Sequence, residues 1–377
     1  MKTRIISLLL LLSLCSSGRS QPYQPTAENL QSRQEFRDSK FGIFLHWGLY
    51  CMLATGEWTM TNNNLNYKEY AKLAGGFYPS RFNAAKWVAA IKASGAKYIC
   101  FTSRHHEGFS MFHTRYSDYN IVDATPFRRD VLKELADECH KQGIRLHLYY
   151  SHIDWYREDA PQGRTGRGTG RPDPSGDWNS YYAFMNNQLT ELLTGYGDVF
   201  EVWFDGANGG DGWYGGANET RTIDRNTYYD WPGTWQVVRE LQPGAVMFSD
   251  GGPDVRWVGN EKGFAGETNW SLLKRADFAP GAADREALNA GQEDGTHWLP
   301  AEVDVSIRPG WYYHEAEDSL VRTVPQLLDI YYASVGRNAS MLLNVPPDKT
   351  GRIPAVDSLR LMEFARALAA EFSKDLA

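Results

Sequence analysis

Short apolar runs alternate with amphipathic stretches along most of this chain, and that alternation limits the fold more than any other feature of the sequence. Apolar runs bounded by polar or glycine residues are typical of buried strands in a parallel sheet, and the amphipathic stretches between them are typical of covering helices. The predicted strands are residues 41–47, 97–102, 144–150, 198–204, 245–249, 302–307 and 341–345. The predicted helices are residues 84–95, 129–142, 178–195, 232–241 and 322–336, with a last helix from about 357 to 377.

This number of strand and helix units predicts an α/β fold, a (β/α)8-type, TIM-like barrel with one or two irregular units. A doubly wound open sheet is the alternative, but no glycine-rich phosphate loop follows the first predicted strand. The chain has 377 residues, of which 42% are hydrophobic, so it can bury one large core. We expect residues 21–377 to form a single barrel domain whose last element is a helix, with no C-terminal β-sandwich within this chain; a chain cut at a domain boundary is the alternative.

The first twenty residues have the pattern of a secretory signal peptide. Lys2 and Arg4 precede an apolar run that extends from Ile5 to Leu14, and small residues follow it. That run is too short to cross a bilayer as a helix, so residues 1–20 predict a secreted or periplasmic protein without a membrane span. Cys15 follows Leu-Ser-Leu, which loosely resembles a bacterial lipoprotein box, so a lipid anchor at Cys15 is the alternative.

Charge and composition bear on the class of partner. The net charge is −7 and no long run of Lys or Arg occurs, which argues against nucleic acid. Aromatic residues make up 14% of the chain, a content that suits sugar binding because C–H faces of sugars pack on flat rings, although an aromatic core has the same composition. Beyond residue 20 only three cysteines remain, which argues against a disulfide framework and a cysteine-rich zinc site.

Polar clusters follow four of the predicted strands. They are His46-Trp47-Gly48, Arg104-His105-His106-Glu107-Gly108, Tyr149-Tyr150-Ser151-His152-Ile153-Asp154-Trp155 and Trp203-Phe204-Asp205-Gly206. In a barrel they would converge at the carboxyl ends of the strands, where barrel enzymes have their active sites, and the long loops 157–177 and 206–222 would lie on the same face. Asp205 is the most informative residue, because a charge that ends a buried strand is costly unless it has a use; Asp-Gly also favours a simple turn.

A metal site is one interpretation of these clusters, because His46, His105, His106, His147 and His152 could supply ligands. The sequence has no His-Glu-x-x-His motif, and adjacent histidines on an extended segment are not expected to point the same way. His147 lies between two leucines and is predicted to be a core histidine. Without a Gly-x-Ser-x-Gly elbow, serine chemistry is also disfavoured. We expect neither a metal nor a cofactor.

A pair of carboxylates is the chemistry that these residues favour, with one as nucleophile or base and the other as proton donor. Asp205 is the first of the pair. Candidates for the second are Asp250, Asp254, Glu261 and Glu267. Glu261 is preferred and Glu267 is the reserve, because the apolar neighbours Trp257 and Phe264 would raise the pKa of Glu261, as a general acid requires.

The motifs resemble those of the α-L-fucosidases of glycoside hydrolase family 29. The resemblance extends from about Phe36 to about Ile353 and rests on FGIFLHWG (41–48), GEW (56–58), SRHHEGFSMFHTRYSDYN (103–120), TPFRRDVLKELADECHKQGIRLHLYYS (125–151), VWFDGAN (202–208) and PAEVDVSIRPGWYYH (300–314). Within the family, residues 259–268 and 300–311 resemble the subgroup that prefers α-1,3/1,4-linked fucose on branched glycans.

The resemblance implies a retaining exo-α-L-fucosidase that acts on fucosylated glycans. It implies Asp205 as nucleophile and Glu261, or else Glu267, as acid/base. The residues implied to hold the fucose hydroxyls are His46, Glu57, Trp58, His105, His106 and Tyr150, and those implied to pack against the sugar are Trp203 and Trp311. A metal-dependent hydrolase on the same barrel and a carbohydrate-binding protein without activity are the alternatives.

Overall fold

The structure, a computed structural model, describes residues 23–160, 178–206, 228–275, 278–281 and 284–373. The predicted signal peptide and Cys15 lie outside these ranges, as do most residues of the two loops 157–177 and 206–222. The prediction of a signal peptide therefore stays a prediction. Within the described ranges, no helix combines the length and the apolar character needed to cross a membrane.

Eight parallel strands close into a barrel. They are β1 (Phe41–Leu45), β2 (Tyr98–Arg104), β3 (Arg145–Ser151), β4 (Glu201–Asp205), β5 (Val246–Ser249), β6 (Val255–Trp257), β9 (Ala301–Ser306) and β10 (Ser340–Asn344). Each strand pairs with the next in this order, and β10 pairs with β1 to close the barrel. Two further strands, β7 (Leu272–Leu273) and β8 (His297–Trp298), form a separate antiparallel pair. The barrel prediction is confirmed, and β6 is the barrel strand that the sequence pattern did not predict.

Helices surround the barrel. They are α1 (Ala27–Ser39), α2 (Tyr50–Leu53), α3 (Thr59–Asn62), α4 (Tyr67–Ala71), α5 (Ala84–Ala93), α6 (Val131–Gln142), α7 (Asn179–Gly195), α8 (Trp231–Leu241), α9 (Arg285–Ala290), α10 (Val324–Ser334) and α11 (Ala355–Glu371). Helix α6 shows why such segments form. The Asp130 side chain caps its first turn, its apolar residues are buried against the strands, and Gly143 ends it in the left-handed conformation.

The connection between β5 and β6 is the irregular unit of the barrel. Residues 250–254 join the two strands directly, without a helix. Asp254 stabilises this connection, because its Oδ2 accepts a 2.9 Å hydrogen bond from the backbone N–H of Met247. Both Arg33 and Arg239 donate to the same buried carboxylate at 2.7 Å. Asp254, one of the acid candidates named from the sequence, is therefore a structural residue.

A polar layer fills the barrel interior. His147 is buried there, with its Nδ1 2.7 Å from Glu201 Oε2, which confirms the prediction of a core histidine. On a facing strand, Glu302 accepts hydrogen bonds from the Tyr98 hydroxyl at 2.8 Å and from Trp203 Nε1 at 2.9 Å. Burial raises the pKa of both glutamates well above the usual value, which favours their neutral forms. This layer supports the floor of the site described next.

Candidate active site

Asp205 lies at the carboxyl end of β4, beside Ser151 at the end of β3. Its Oδ2 accepts a 2.6 Å hydrogen bond from the Tyr149 hydroxyl, and its Oδ1 accepts one of 2.5 Å from the backbone N–H of Gly206. Gly206 has φ of +73°, and a Cβ at this position would lie 2.7 Å from Ile153 Cγ1, so the tight turn after Asp205 requires glycine. The Asp205 side chain is 34% exposed, which leaves a fixed carboxylate accessible to a ligand.

His105 and His106 both lie at this site, with their ring centroids 4.2 Å apart. The expectation that adjacent histidines would point in different directions is wrong here, because β2 ends at Arg104 and the pair lies in the turn that follows. His106 Nδ1 is 2.7 Å from Ser151 Oγ, and His106 Nε2 is 3.7 Å from Asp205 Oδ2. Burial lowers the pKa of both imidazoles, which keeps them neutral and able to bind hydroxyl groups.

His46, after β1, forms the opposite side of the site. Its ring centroid lies 5.0 Å from that of Trp311 and 5.6 Å from that of His105. Burial lowers the pKa of His46 to about 3, so this imidazole is neutral as well. The Asn344 side chain, at the end of β10, contacts both His46 and the backbone of Trp311. Three neutral imidazoles thus surround the space above Asp205.

Glu261 and Glu57 bring two further carboxylates to the mouth of the site. Trp311 Nε1 donates a 3.2 Å hydrogen bond to Glu261 Oε2. Partial desolvation raises the pKa of Glu261, and the negative charge of Asp205 raises it further. Desolvation also raises the pKa of Glu57, with a contribution from Glu261. An elevated pKa in reach of the Asp205 charge is the property expected of a general acid.

Tryptophans form the floor and one wall. The Trp203 ring stacks on Phe248, with centroids 3.9 Å apart, and lies 5.5 Å from the Tyr149 ring. Its Nε1 is held by Glu302 from below, as described above. Trp58 lies 5.9 Å from His106, between centroids, and forms the wall. These flat surfaces suit a ligand with C–H faces.

Tyr150 does not lie with the other residues named from the sequence. Its hydroxyl donates a 2.9 Å hydrogen bond to Gln188 on α7, and Arg104 lies over its ring at 4.4 Å. Successive strand residues point to opposite faces, so Tyr149 faces the barrel interior and Tyr150 faces the helices. The alternation from His147 along β3 could have identified Tyr149, which the sequence analysis missed.

Of the other acids considered, Glu267 is exposed and forms no hydrogen bond or ion pair with a site side chain in the described ranges. Asp250 follows β5, and burial with the nearby Asp205 charge raises its pKa to about 8. Asp304 was not identified from the sequence, yet it accepts a 2.9 Å hydrogen bond from Trp257 Nε1, and burial together with Glu261 raises its pKa. The alternating polar residues of β9 were the available signal for it.

Within the ranges that the structure describes, one group of side chains has the geometry to hold a metal ion. Ligand atoms of His105, His106 and Asp205 all lie within 4.8 Å of one another. His152, also named as a ligand candidate, is buried and packs against Trp231 with centroids 4.2 Å apart. The same three residues equally suit a neutral ligand with several hydroxyl groups, because neutral imidazoles donate and accept hydrogen bonds.

The chain is similar to known proteins over most of its length. The model of the alpha-L-fucosidase family matches residues 10–371. The chain is 38% identical to alpha-L-fucosidase 1 of Arabidopsis thaliana over 357 residues, 94% of this chain and 62% of the plant protein. A solved glycoside hydrolase 29 family member from an unknown rumen bacterium has a TM-score of 0.77 at 40% identity, covering 93% of this chain and 58% of that one. The chain thus spans less than two thirds of these relatives.

Proposed function

The chain belongs to the alpha-L-fucosidase family, glycoside hydrolase family 29, and on that premise we propose that it is a retaining exo-α-L-fucosidase. The observation that carries the proposal is the Asp205 carboxylate, held by Tyr149 and Gly206 at the end of β4. Glu261 supports it, because desolvation and the nearby Asp205 charge raise the pKa of this second carboxyl group. Retaining glycoside hydrolysis requires two carboxyl groups at one site, one as nucleophile and one as acid/base.

In the proposed first step, an Asp205 oxygen attacks the anomeric carbon. The glycosidic C–O bond breaks as Glu261 transfers its proton to the departing oxygen, which leaves a fucosyl ester on Asp205. In the second step, the Glu261 carboxylate takes a proton from water, and that water attacks the anomeric carbon and releases Asp205. Two inversions give net retention, for which the carboxyl groups are expected to lie ~5–5.5 Å apart.

The surrounding residues supply sugar recognition in this proposal. His46, His105 and His106 bind hydroxyl groups as neutral imidazoles, with Glu57 and Trp58 at the rim. Trp203 and Trp311 pack against the C–H face of the ring. Tyr149 takes the place that the sequence analysis gave to Tyr150, because only Tyr149 contacts Asp205.

For the linkage, we propose a preference for α-1,3/1,4-linked fucose on branched glycans. The support is the resemblance of residues 259–268 and 300–311 to that subgroup and the contact between these two segments, in which Trp311 binds Glu261. Binding energy from a second sugar at this rim would then be used in the chemical step. The test compares kcat/KM for a Lewis-type trisaccharide with that for a 2-linked fucosyl trisaccharide. A clear excess for the Lewis-type substrate supports the proposal, and equal values reject it.

A metal-dependent hydrolase is the second candidate, favoured by the spacing of His105, His106 and Asp205. The two candidates differ in their response to a strong chelator. Double displacement by two carboxylates keeps its full rate after prolonged treatment with EDTA and dialysis. Loss of activity that zinc restores would establish the metal mechanism instead. A binding protein without activity would release no fucose from any of these substrates.

Export is also part of the proposal, with residues 1–20 as the signal peptide and Cys15 as a lipid anchor in the alternative case. Expression of the full chain in a bacterial host, followed by fractionation and mass spectrometry of the mature protein, separates the two. Cleavage near residue 20 supports a free secreted or periplasmic protein. A lipid mass on an N-terminal Cys15 supports the anchored form.

A further inference from the structure

The side-chain amide of Asn344 is buried beside the site, and both of its ends are hydrogen-bonded. Its Oδ1 accepts a 3.2 Å hydrogen bond from the backbone N–H of His46 and lies 3.0 Å from His46 Nδ1. Its Nδ2 donates to the backbone carbonyl of Trp311 at 2.8 Å and to Ser306 Oγ at 2.9 Å. One amide therefore joins the end of β1 to the loop that carries Trp311.

These partners fix the orientation of the amide, because two of them have only one role. The Trp311 carbonyl can only accept a hydrogen bond, so the NH2 end of Asn344 must face it. The His46 backbone N–H can only donate, so the oxygen of Asn344 must face His46. The two ends lead independently to the same orientation, which removes the usual ambiguity between the oxygen and nitrogen of an asparagine amide.

The orientation of the amide in turn fixes the proton on His46. An oxygen that faces Nδ1 can only accept, so Nδ1 carries the hydrogen. The imidazole is neutral because burial lowers its pKa to about 3, and Nε2 therefore has a free lone pair. Among the described residues Nε2 has no hydrogen-bond partner, and the ring lies beside His105, Tyr149 and Trp311 in the site.

We propose that Asn344 is a positioning residue that holds His46 as the Nδ1–H tautomer, so that Nε2 accepts a hydrogen bond from a hydroxyl group of the sugar. The identity of the ligand rests on the proposed function, whereas the tautomer does not. A buried acceptor of this kind favours a ligand that donates at this point, and an analogue with fluorine in place of that hydroxyl group leaves Nε2 unpaired.

Nitrogen NMR of the full-length protein labelled at histidine tests the tautomer directly. We expect the His46 signals to show a protonated Nδ1 and an unprotonated Nε2 at neutral pH, both with and without L-fucose. His46→Gln provides the assignment of these signals. A protonated Nε2 in the free protein would overturn the proposal, whatever the protein hydrolyses. The expected tautomer together with no binding of L-fucose would leave the tautomer intact and reject the proposed function.

Asn344→Asp tests the role of the amide. A carboxylate beside Nδ1 favours the imidazolium form of His46, in which Nε2 is a donor. The carboxylate also has no N–H group, so the hydrogen bond to the Trp311 carbonyl is lost. We expect Nε2 to become protonated and the affinity for L-fucose to fall by about three- to tenfold, the size of one net hydrogen bond. Asn187→Asp, on the exposed side of α7, adds the same charge away from the site and is expected to leave both unchanged.

Fluorinated sugars extend the test without dependence on the folding of the variant. L-Fucose with fluorine in place of the hydroxyl group at C2, C3 or C4 is bound to the unaltered protein. We expect the analogue that loses the donor to Nε2 to bind about tenfold more weakly than L-fucose, for the same energetic reason. In Asn344→Asp that penalty is expected to shrink, because an Nε2–H can face fluorine. Equal penalties in both proteins, or none at any position, would contradict the proposal.

Discussion

The Tyr149 hydroxyl donates a 2.6 Å hydrogen bond to Oδ2 of Asp205, from one barrel strand to the next. Burial raises the pKa of Tyr149 well above its usual value, so the phenol stays a donor across the working pH range. With the Gly206 N–H on Oδ1, each carboxylate oxygen of Asp205 has one fixed partner. This arrangement sets the direction in which Asp205 presents its remaining lone pairs to a ligand.

Tyr149→Phe is therefore expected to lower kcat/KM by about 10- to 100-fold, the range for a lost hydrogen bond to a charged group. Tyr150→Phe is the matched control, because the neighbouring hydroxyl contacts Gln188 outside the barrel. That variant is expected to keep its activity and to lose at most about 1 kcal/mol of stability. Rates on an activated aryl fucoside and thermal unfolding of both variants check the prediction. Equal losses of activity would show that the contact with Asp205 has no special role.

Glu261→Ala is expected to slow substrates with poor leaving groups much more than activated aryl fucosides, because only the former need protonation in the transition state. The basic limb of the pH profile, which reports loss of the acid's proton, is expected to disappear in this variant. Glu267→Ala is the control, six positions along the same segment and exposed. If Glu267→Ala shows both effects and Glu261→Ala shows neither, Glu267 is the acid/base.

The sequence predicted most of the barrel, since seven of the eight strands carry recognisable apolar runs. It did not predict β6, because this strand has only three residues, one of them Arg256, and follows β5 without a helix. The side of the barrel wall that each strand residue faces was harder to predict from the sequence. Tyr149 and Tyr150 are the same residue type, so residue type does not distinguish them, and only the alternation along β3, counted from His147, indicates that Tyr149 faces Asp205 and Tyr150 faces α7.

The position of buried polar groups was also beyond the sequence. Asn344 lies in a predicted strand, where its neighbours gave no sign that its amide would bridge His46 and the loop of Trp311. Asp304 is similar, because a carboxyl group inside a barrel becomes interpretable only when its partner Trp257 is known. Such contacts join residues that are distant in sequence and depend on closure of the barrel.

Glu107 makes stability depend on pH. Its carboxyl group is buried between the Leu49 backbone N–H and the Tyr70 hydroxyl, and burial raises its pKa from 4.5 to about 8. Between pH 4.5 and about pH 8, the Glu107 carboxyl group keeps its proton in the folded state but loses it in the unfolded state. The contribution of this group to the free energy of unfolding is therefore complete below about pH 4.5 and is lost as the pH rises towards 8.

Glu107→Gln, which stays neutral at every pH, is expected to flatten that decline. Relative to the parent protein it gains up to ~1.4 kcal/mol of unfolding free energy per pH unit over this interval. Urea unfolding at pH 5 and pH 8 measures the change. Glu240→Gln, on the exposed face of α8, is the control and is expected to keep the slope of the parent protein. Identical slopes for Glu107→Gln and the parent would show that Glu107 is ionised in the folded state.

The most direct test of the account is the configuration of the product that Asp205→Gly forms from an activated aryl α-fucoside in the presence of azide. Without azide, we expect turnover to fall by at least about a thousandfold, because the group that forms the covalent intermediate is missing. With azide, the anion enters the vacated position and attacks the anomeric carbon once, which gives the β-fucosyl azide by inversion. That product is the result the account predicts. Hydrolysis at the parent rate without azide, or a variant that azide leaves inactive although it is folded and binds L-fucose, would contradict the role of Asp205.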